Sequence, residues 1–171
     1  MMRAKSLGYY VILVATLFLY ACGFLSAQSA KEKILSRFIR GKDEKAFAAT
    51  CEAYARERIP QIVREDALRK AKWHKARGHR LIIASASLEN WILPWAKTEG
   101  FDEVIASKLQ LCGSKLTGLF SAPNCAGEEK KRRFLKFYPE RESYFLYVYT
   151  DSKKDQPLLS MADKAFFKRF V

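Results

Sequence analysis

Asp151 and Asp155 stand four residues apart in Thr150-Asp151-Ser152-Lys153-Lys154-Asp155, directly after the apolar run Tyr144–Tyr149. Two carboxylates spaced by one helical turn beyond a strand can face one cavity. Hard cations such as Mg²⁺ take such oxygens, typically one or two carboxylates completed by water and substrate phosphate. The plainer alternative is that Asp151 or Ser152 caps the next helix and Asp155 is solvated. Ser85 closes a second apolar run, Arg80–Ser85. Its hydroxyl either satisfies nearby backbone or donates to a phosphoryl oxygen, helped by N–H groups at the next helix start. Lys130 sits in the basic run Glu128–Phe137. Most of that run reads as a solvated helix face. One lysine turned inward, Lys130 or alternatively Lys131, would balance phosphate and carboxylate charge.

These residues need elements to hold them. The pattern predicts helices over residues 31–41, 44–58 and 65–77, the last with acids at its start, bases towards its end and Gly78 just past it. Strands follow at Arg80–Ser85 and in "FDEVIAS", with Ser87 placed to cap the helix between them and Pro94 to distort it. "KLQLCGSKLTGLF" reads as a β-hairpin. Glu128–Phe137 is a helix, Tyr144–Tyr149 a central strand, Lys154–Ala162 a helix and "AFFKRF" a final strand. Strands alternating with helices indicate a parallel sheet. Ligands of such sheets bind at the carboxyl ends of the strands. If both strands run parallel in one sheet, the Ser85 and Asp151 clusters share an edge.

Composition narrows the partners. The chain has 171 residues, 49% of them hydrophobic, enough for one domain with a real core. A net charge of +13, from 31 Lys and Arg against 18 Asp and Glu, calls for an anionic partner. Nucleic acid is not expected, because no recognition module accompanies the basic runs. Cys22, Cys51, Cys112 and Cys125 are scattered, and His74 and His79 are the sole histidines, so a zinc site is poorly supported. Tyr9–Leu25 is almost wholly apolar and follows Arg3 and Lys5. Read alone it is a signal peptide or a membrane span; the third reading is an apolar helix of a larger fold.

The ordered set is more specific than its parts. A strand ending in Ser85, a helix opening with Lys130 and a strand ending in Asp151-Ser152-x-x-Asp155 resemble the haloacid dehalogenase (HAD) superfamily of phosphatases. The resemblance is closer to the phosphoserine-phosphatase-like branch, subfamily IB, through "GHRLIIASASLENWILPWA", "KLTGLF", "NCAGEEK" and "YTDSKKDQPLL". It extends upstream through "SAQSAKEKILSRFIRG" and covers nearly the whole chain.

It implies an α/β fold, a HAD-like Rossmannoid three-layer sandwich with a parallel central sheet plus a helical cap. Residues 1–64 match the cap, with its apolar helix at about 8–27, and 65–171 match the core. It further implies Mg²⁺ held through Asp151 and Asp155, and phosphoryl oxygens bound by Ser85 and Lys130. The substrate would be a small phosphate ester or a phospholipid head group such as phosphatidylglycerophosphate. The place would be the cytoplasm or the inner face of the membrane, with membrane association through the apolar helix.

Two departures stand out. Thr150 replaces the glycine usual before the fourth-motif Asp. No D-x-D occurs anywhere, so the nucleophile of the D-x-D-x-T motif is absent, and neither Asp43 nor Asp66 substitutes for it. By resemblance Met1 falls inside the cap, so the first strand is expected to be missing and the chain reads as part of a longer enzyme. Loss of a covalent catalyst costs several powers of ten in rate. Loss of a central strand leaves unpaired edges. The rival readings are a non-catalytic HAD remnant and a membrane-anchored basic binding protein.

Overall fold

The structure, a computed structural model, describes residues 2–170. In chain order the helices are α1 (Met2–Ala21), α2 (Ala27–Ile39), α3 (Glu44–Glu57), α4 (Ile59–Ile62), α5 (Glu65–Lys75), α6 (Glu89–Thr98), α7 (Glu128–Phe137) and α8 (Gln156–Leu159). The strands are β1 (Ile82–Leu88), β2 (Glu103–Ser107), β3 (Leu109–Cys112), β4 (Lys115–Phe120), β5 (Tyr147–Thr150) and β6 (Lys164–Phe167). Two compact units result. One runs to Phe47 and takes in Leu109–Pro123; the other comprises Ala48–Lys108 and Asn124–Val171.

In the first unit α2 packs on the antiparallel hairpin β3–β4, and α1 packs on α2. The Ser26 hydroxyl accepts the Ser29 amide at 3.0 Å and starts α2 at Ala27, earlier than the Lys31 start expected from the apolar stripe. Gly118 has φ +82°, and a Cβ there would overlap the backbone of Ser36, so glycine is what lets α2 lie on β4. Asp43 has a structural task. It pairs with Lys115 at the hairpin, and its Oδ1 accepts the Ala46 amide at 3.1 Å to open α3. Much of α1 is exposed, including Val11, Val14, Leu17 and Phe18. No helix among the described residues is long and apolar enough to cross a membrane.

The second unit carries the chemistry-bearing elements. β1 and β2 are parallel, joined by α6, which continues through Pro94. β5 and β6 are also parallel, joined by a 3-10 turn at Lys153–Asp155 and α8. One core serves both pairs. Ile105, Cys125, Phe134, Val148, Leu158 and Leu159 are buried together, with Ile82 and Ala84 of β1 against them. α7 packs on β1, β2 and α8, and α8 packs on β5. The parallel strands nevertheless form two separate two-stranded sheets, β1-β2 and β5-β6. β1 and β5 therefore each keep one edge without a strand partner among the described residues.

Three local expectations change. β1 runs on to Leu88, so Ser87 does not cap α6; the N-cap is Leu88, without a side-chain hydrogen bond. β5 begins at Tyr147, three residues after the expected Tyr144. The Tyr144 carbonyl is instead taken by Arg141 at 3.0 Å, and the Leu146 amide by Asp163 at 2.6 Å, which removes both from the ladder. The helix expected over 154–162 shortens to Gln156–Leu159, because Ser152 accepts the Lys154 amide and nucleates a 3-10 turn first.

Candidate functional site

Lys130 and Asp155 come together. The Lys130 Nζ donates to Asp155 Oδ1 at 2.6 Å, and their side chains are 8% and 10% exposed. The Thr150 hydroxyl donates to Asp155 Oδ2 at 2.7 Å and accepts the Ser152 amide at 3.1 Å. Burying one charge is costly; burying an opposite pair with a further hydrogen bond is tolerable. The inward lysine is thus Lys130, while Lys131 is half-buried. Thr150, which stands where the resemblance implies glycine, supplies the carboxylate's second donor.

Asp151 is exposed at the end of β5. It makes no ion pair among the described residues. Asp155, by contrast, has both oxygens engaged. As a donor set for a hard cation, one open carboxylate supported by a fixed neighbour suits Mg²⁺, which keeps several waters and takes few protein ligands. No group of three or more His, Cys, Asp and Glu side chains among the described residues could hold a metal ion by itself. His74 and His79 bond each other instead, Nδ1 to Nδ1 at 2.8 Å, and His74 Nε2 meets the Tyr149 hydroxyl at 3.0 Å.

Ser85 lies in an irregular end of β1. Ala84 pairs with Ile105 and Leu88 with Ser107, so four steps on β1 match two on β2. Within this bulge the Ser85 hydroxyl accepts the Ser87 amide at 3.1 Å. No hydrogen bond joins Ser85 to Lys130, Asp151 or Asp155 among the described residues. A chain of contacts links them all the same. Ser107 ends β2 and bonds Ala86 of the bulge, Asn124 and the Cys125 amide. Two residues later Gly127 begins α7 at φ 58° and ψ −130°, a region open to glycine, and a Cβ there would meet the Lys154 carbonyl at 3.5 Å. The ends of β1 and β2 and the turn after β5 are therefore all tied to the start of α7. They share one edge.

α7 is itself anchored. Arg133 donates to the Ala106 carbonyl at 2.7 Å and to Glu129 at 2.6 Å. Hydrogen bonds from Arg132, and then from Arg133, hold the Glu129 carboxyl down at about 2 against the opposing effect of its burial. Burial pushes the Cys125 thiol up, which keeps it a donor to the Ile105 carbonyl at 3.5 Å. At the far end of β1, Lys75, Arg80 and Asp102 line a surface depression whose cations are already paired, Lys75 with Asp102 and Arg80 with Glu103.

The model of the haloacid dehalogenase-like hydrolases matches residues 2–160. The chain belongs to this family. Among curated relatives, protein CicA of Caulobacter vibrioides is 24% identical over 141 residues, which is 82% of this chain and 63% of CicA. The chain thus spans under two thirds of that relative's length. A Bordetella pertussis protein of unknown function superimposes with TM-score 0.73 at 24% identity, covering 85% of this chain and 67% of that one. A probable phosphoserine phosphatase from Vibrio cholerae gives 0.65 at 16% identity, covering 93% and 47%. The α/β fold is that of the phosphoserine-phosphatase-like HAD proteins. Sequence reasoning missed Ser107, Asn124 and Thr150 as parts of this edge. Only the hydroxyl of Thr150 in a glycine position signalled one of them.

Proposed function

We propose that this chain contributes the phosphate- and metal-binding half of a Mg²⁺-dependent phosphomonoester hydrolase. Residues 1–64 serve as its helical cap and 65–171 as its α/β core. One observation carries the reading: the Lys130–Asp155 pair is buried and fixed by Thr150, the residue immediately before the exposed Asp151. Asp151 would hold Mg²⁺, with Asp155 supporting. The ion would offset the charge of the transferring phosphoryl group. Lys130 presents its charge at the same edge, and Ser85 offers a hydroxyl to a phosphoryl oxygen. Asp155 keeps Lys130 aimed through their hydrogen bond. Turnover further needs a carboxylate nucleophile, which no D-x-D in this sequence provides. The chain by itself is expected to bind phosphate and to hydrolyse esters slower by several powers of ten than a complete site.

The test is inorganic phosphate binding followed by ³¹P NMR with and without Mg²⁺. Binding should require Mg²⁺ and be lost in Asp151→Asn with the fold intact. Equal binding by that variant would refute the metal role. A phospholipid head group is the second reading for the substrate. It is favoured by the apolar exposure of α1 in a unit holding nine Lys and Arg against three Asp and Glu. Retention on anionic but not neutral vesicles would support it.

A further inference from the structure

Ser107 is 0% exposed. A hydroxyl buried so deeply is costly unless its bonds are made, and here its three bonds reach two separate segments. Its oxygen accepts the Cys125 amide at 3.0 Å. Its proton is shared between Asn124 Oδ1 at 3.1 Å and the Ala86 carbonyl at 3.3 Å. Ala86 is the middle residue of the bulge that displaces Ser85 and Ser87 from the β1–β2 ladder. Asn124 and Cys125 belong to the turn that leads through Gly127 into Lys130. The serine therefore sits where the two candidate phosphate-binding groups, far apart in sequence, can be set relative to each other.

We propose that Ser107 is a positioning residue, with Asn124 as its partner. It locks the strand end bearing Ser85 to the helix start bearing Lys130, so that both move as one unit. The functional part rests on the reading of those two residues as phosphate-binding. The mechanical part does not. An apolar side chain at position 107 would pack equally well against Cys125 but would leave the Cys125 amide and the Ala86 carbonyl without this partner. The bulge would then be free to shift without disturbing α7.

The test uses the whole chain with Ser107→Ala, Ser107→Thr and Asn124→Ala. Amide hydrogen exchange is followed at Ser87 on one side and at Lys130 and Lys131 on the other. In Ser107→Ala and Asn124→Ala, exchange should rise together on both sides by tenfold or more, with inorganic phosphate binding weakened by a similar factor. Ser107→Thr, which restores the hydroxyl, should recover most of both. Faster exchange on one side alone, or unchanged exchange on both, would overturn the lock whether or not phosphate binds. Should Ser107→Ala fail to fold, Asn124→Ala decides alone, because that side chain is only half-buried. If the wild-type chain binds no phosphate while exchange remains coupled, the functional reading fails and the lock stands.

Discussion

Strand pairs β1–β2 and β5–β6 are parallel, joined by helical crossovers, and packed on the same apolar cluster around Phe134 and Val148. Beyond their carboxyl ends they differ. β1 ends in a bulge of hydroxyl residues held from outside, by Ser107 of the neighbouring strand. β5 ends in a carboxylate turn held from within, by Thr150, and from the helix, by Lys130. The first end is made of neutral groups. The second contains a buried charge that cannot lose its partner cheaply. In the proposed function both ends would set their groups in place before a ligand arrives, one through neutral hydrogen bonds and one through a buried charge pair.

Breaking the charged end should have the largest effect. Lys130→Met leaves Asp155 buried without its cation, and should lower stability by about 3–5 kcal/mol. Adding Asp155→Leu to it should recover much of that loss in thermal melts, because the pair would then be replaced rather than broken. A second change falls on the joint common to both ends. Gly127→Ala places a side chain at φ 58° and should cost about 1–3 kcal/mol. Chemical denaturation would read this, with a larger loss than for alanine at Gly78, which also has positive φ but meets nothing within 4 Å and lies far from this joint.

The smallest effect concerns the anchor of α7. Glu129 titrates at about 2 in the fold, below its ordinary 4.5. A depressed carboxylate stabilises fully above its unfolded value, and the contribution is lost as pH falls from 4.5 towards 2. Glu129→Gln should therefore cost about 1 kcal/mol near neutrality and flatten the acid limb of the stability curve. Melts at pH 6 and at pH 3 would check this: the gap between wild type and variant should narrow at the lower pH.

Much of this was legible in the sequence because it rests on local pattern. α7 matches its expected span of Glu128–Phe137, the hairpin around Gly113 forms, and both parallel pairs exist where apolar runs stand. Ser85, Lys130, Asp151 and Asp155 stand out as candidates because they close or open those runs. What stayed hidden depends on contacts distant in sequence. Nothing in the run around Tyr144 reveals that Arg141 and Asp163 will withdraw its backbone from the ladder. Ser107 closes a short strand as many serines do, and only its three partners give it a task. That parallel pairs would form was foreseeable from the apolar runs. The bonds across α7 that still gather the strand ends at one edge were not.

The central claim is that these ends form one cation- and phosphate-binding edge. Mn²⁺, a paramagnetic substitute for Mg²⁺, tests it most directly in the ¹⁵N-labelled chain with phosphate present. Broadening is expected first at Asp151 and Ser152, then at Gly127–Lys130 and Ser85–Ser87, and none of it in Asp151→Asn. Broadening that spares these segments, or that persists unchanged in the variant, would contradict it.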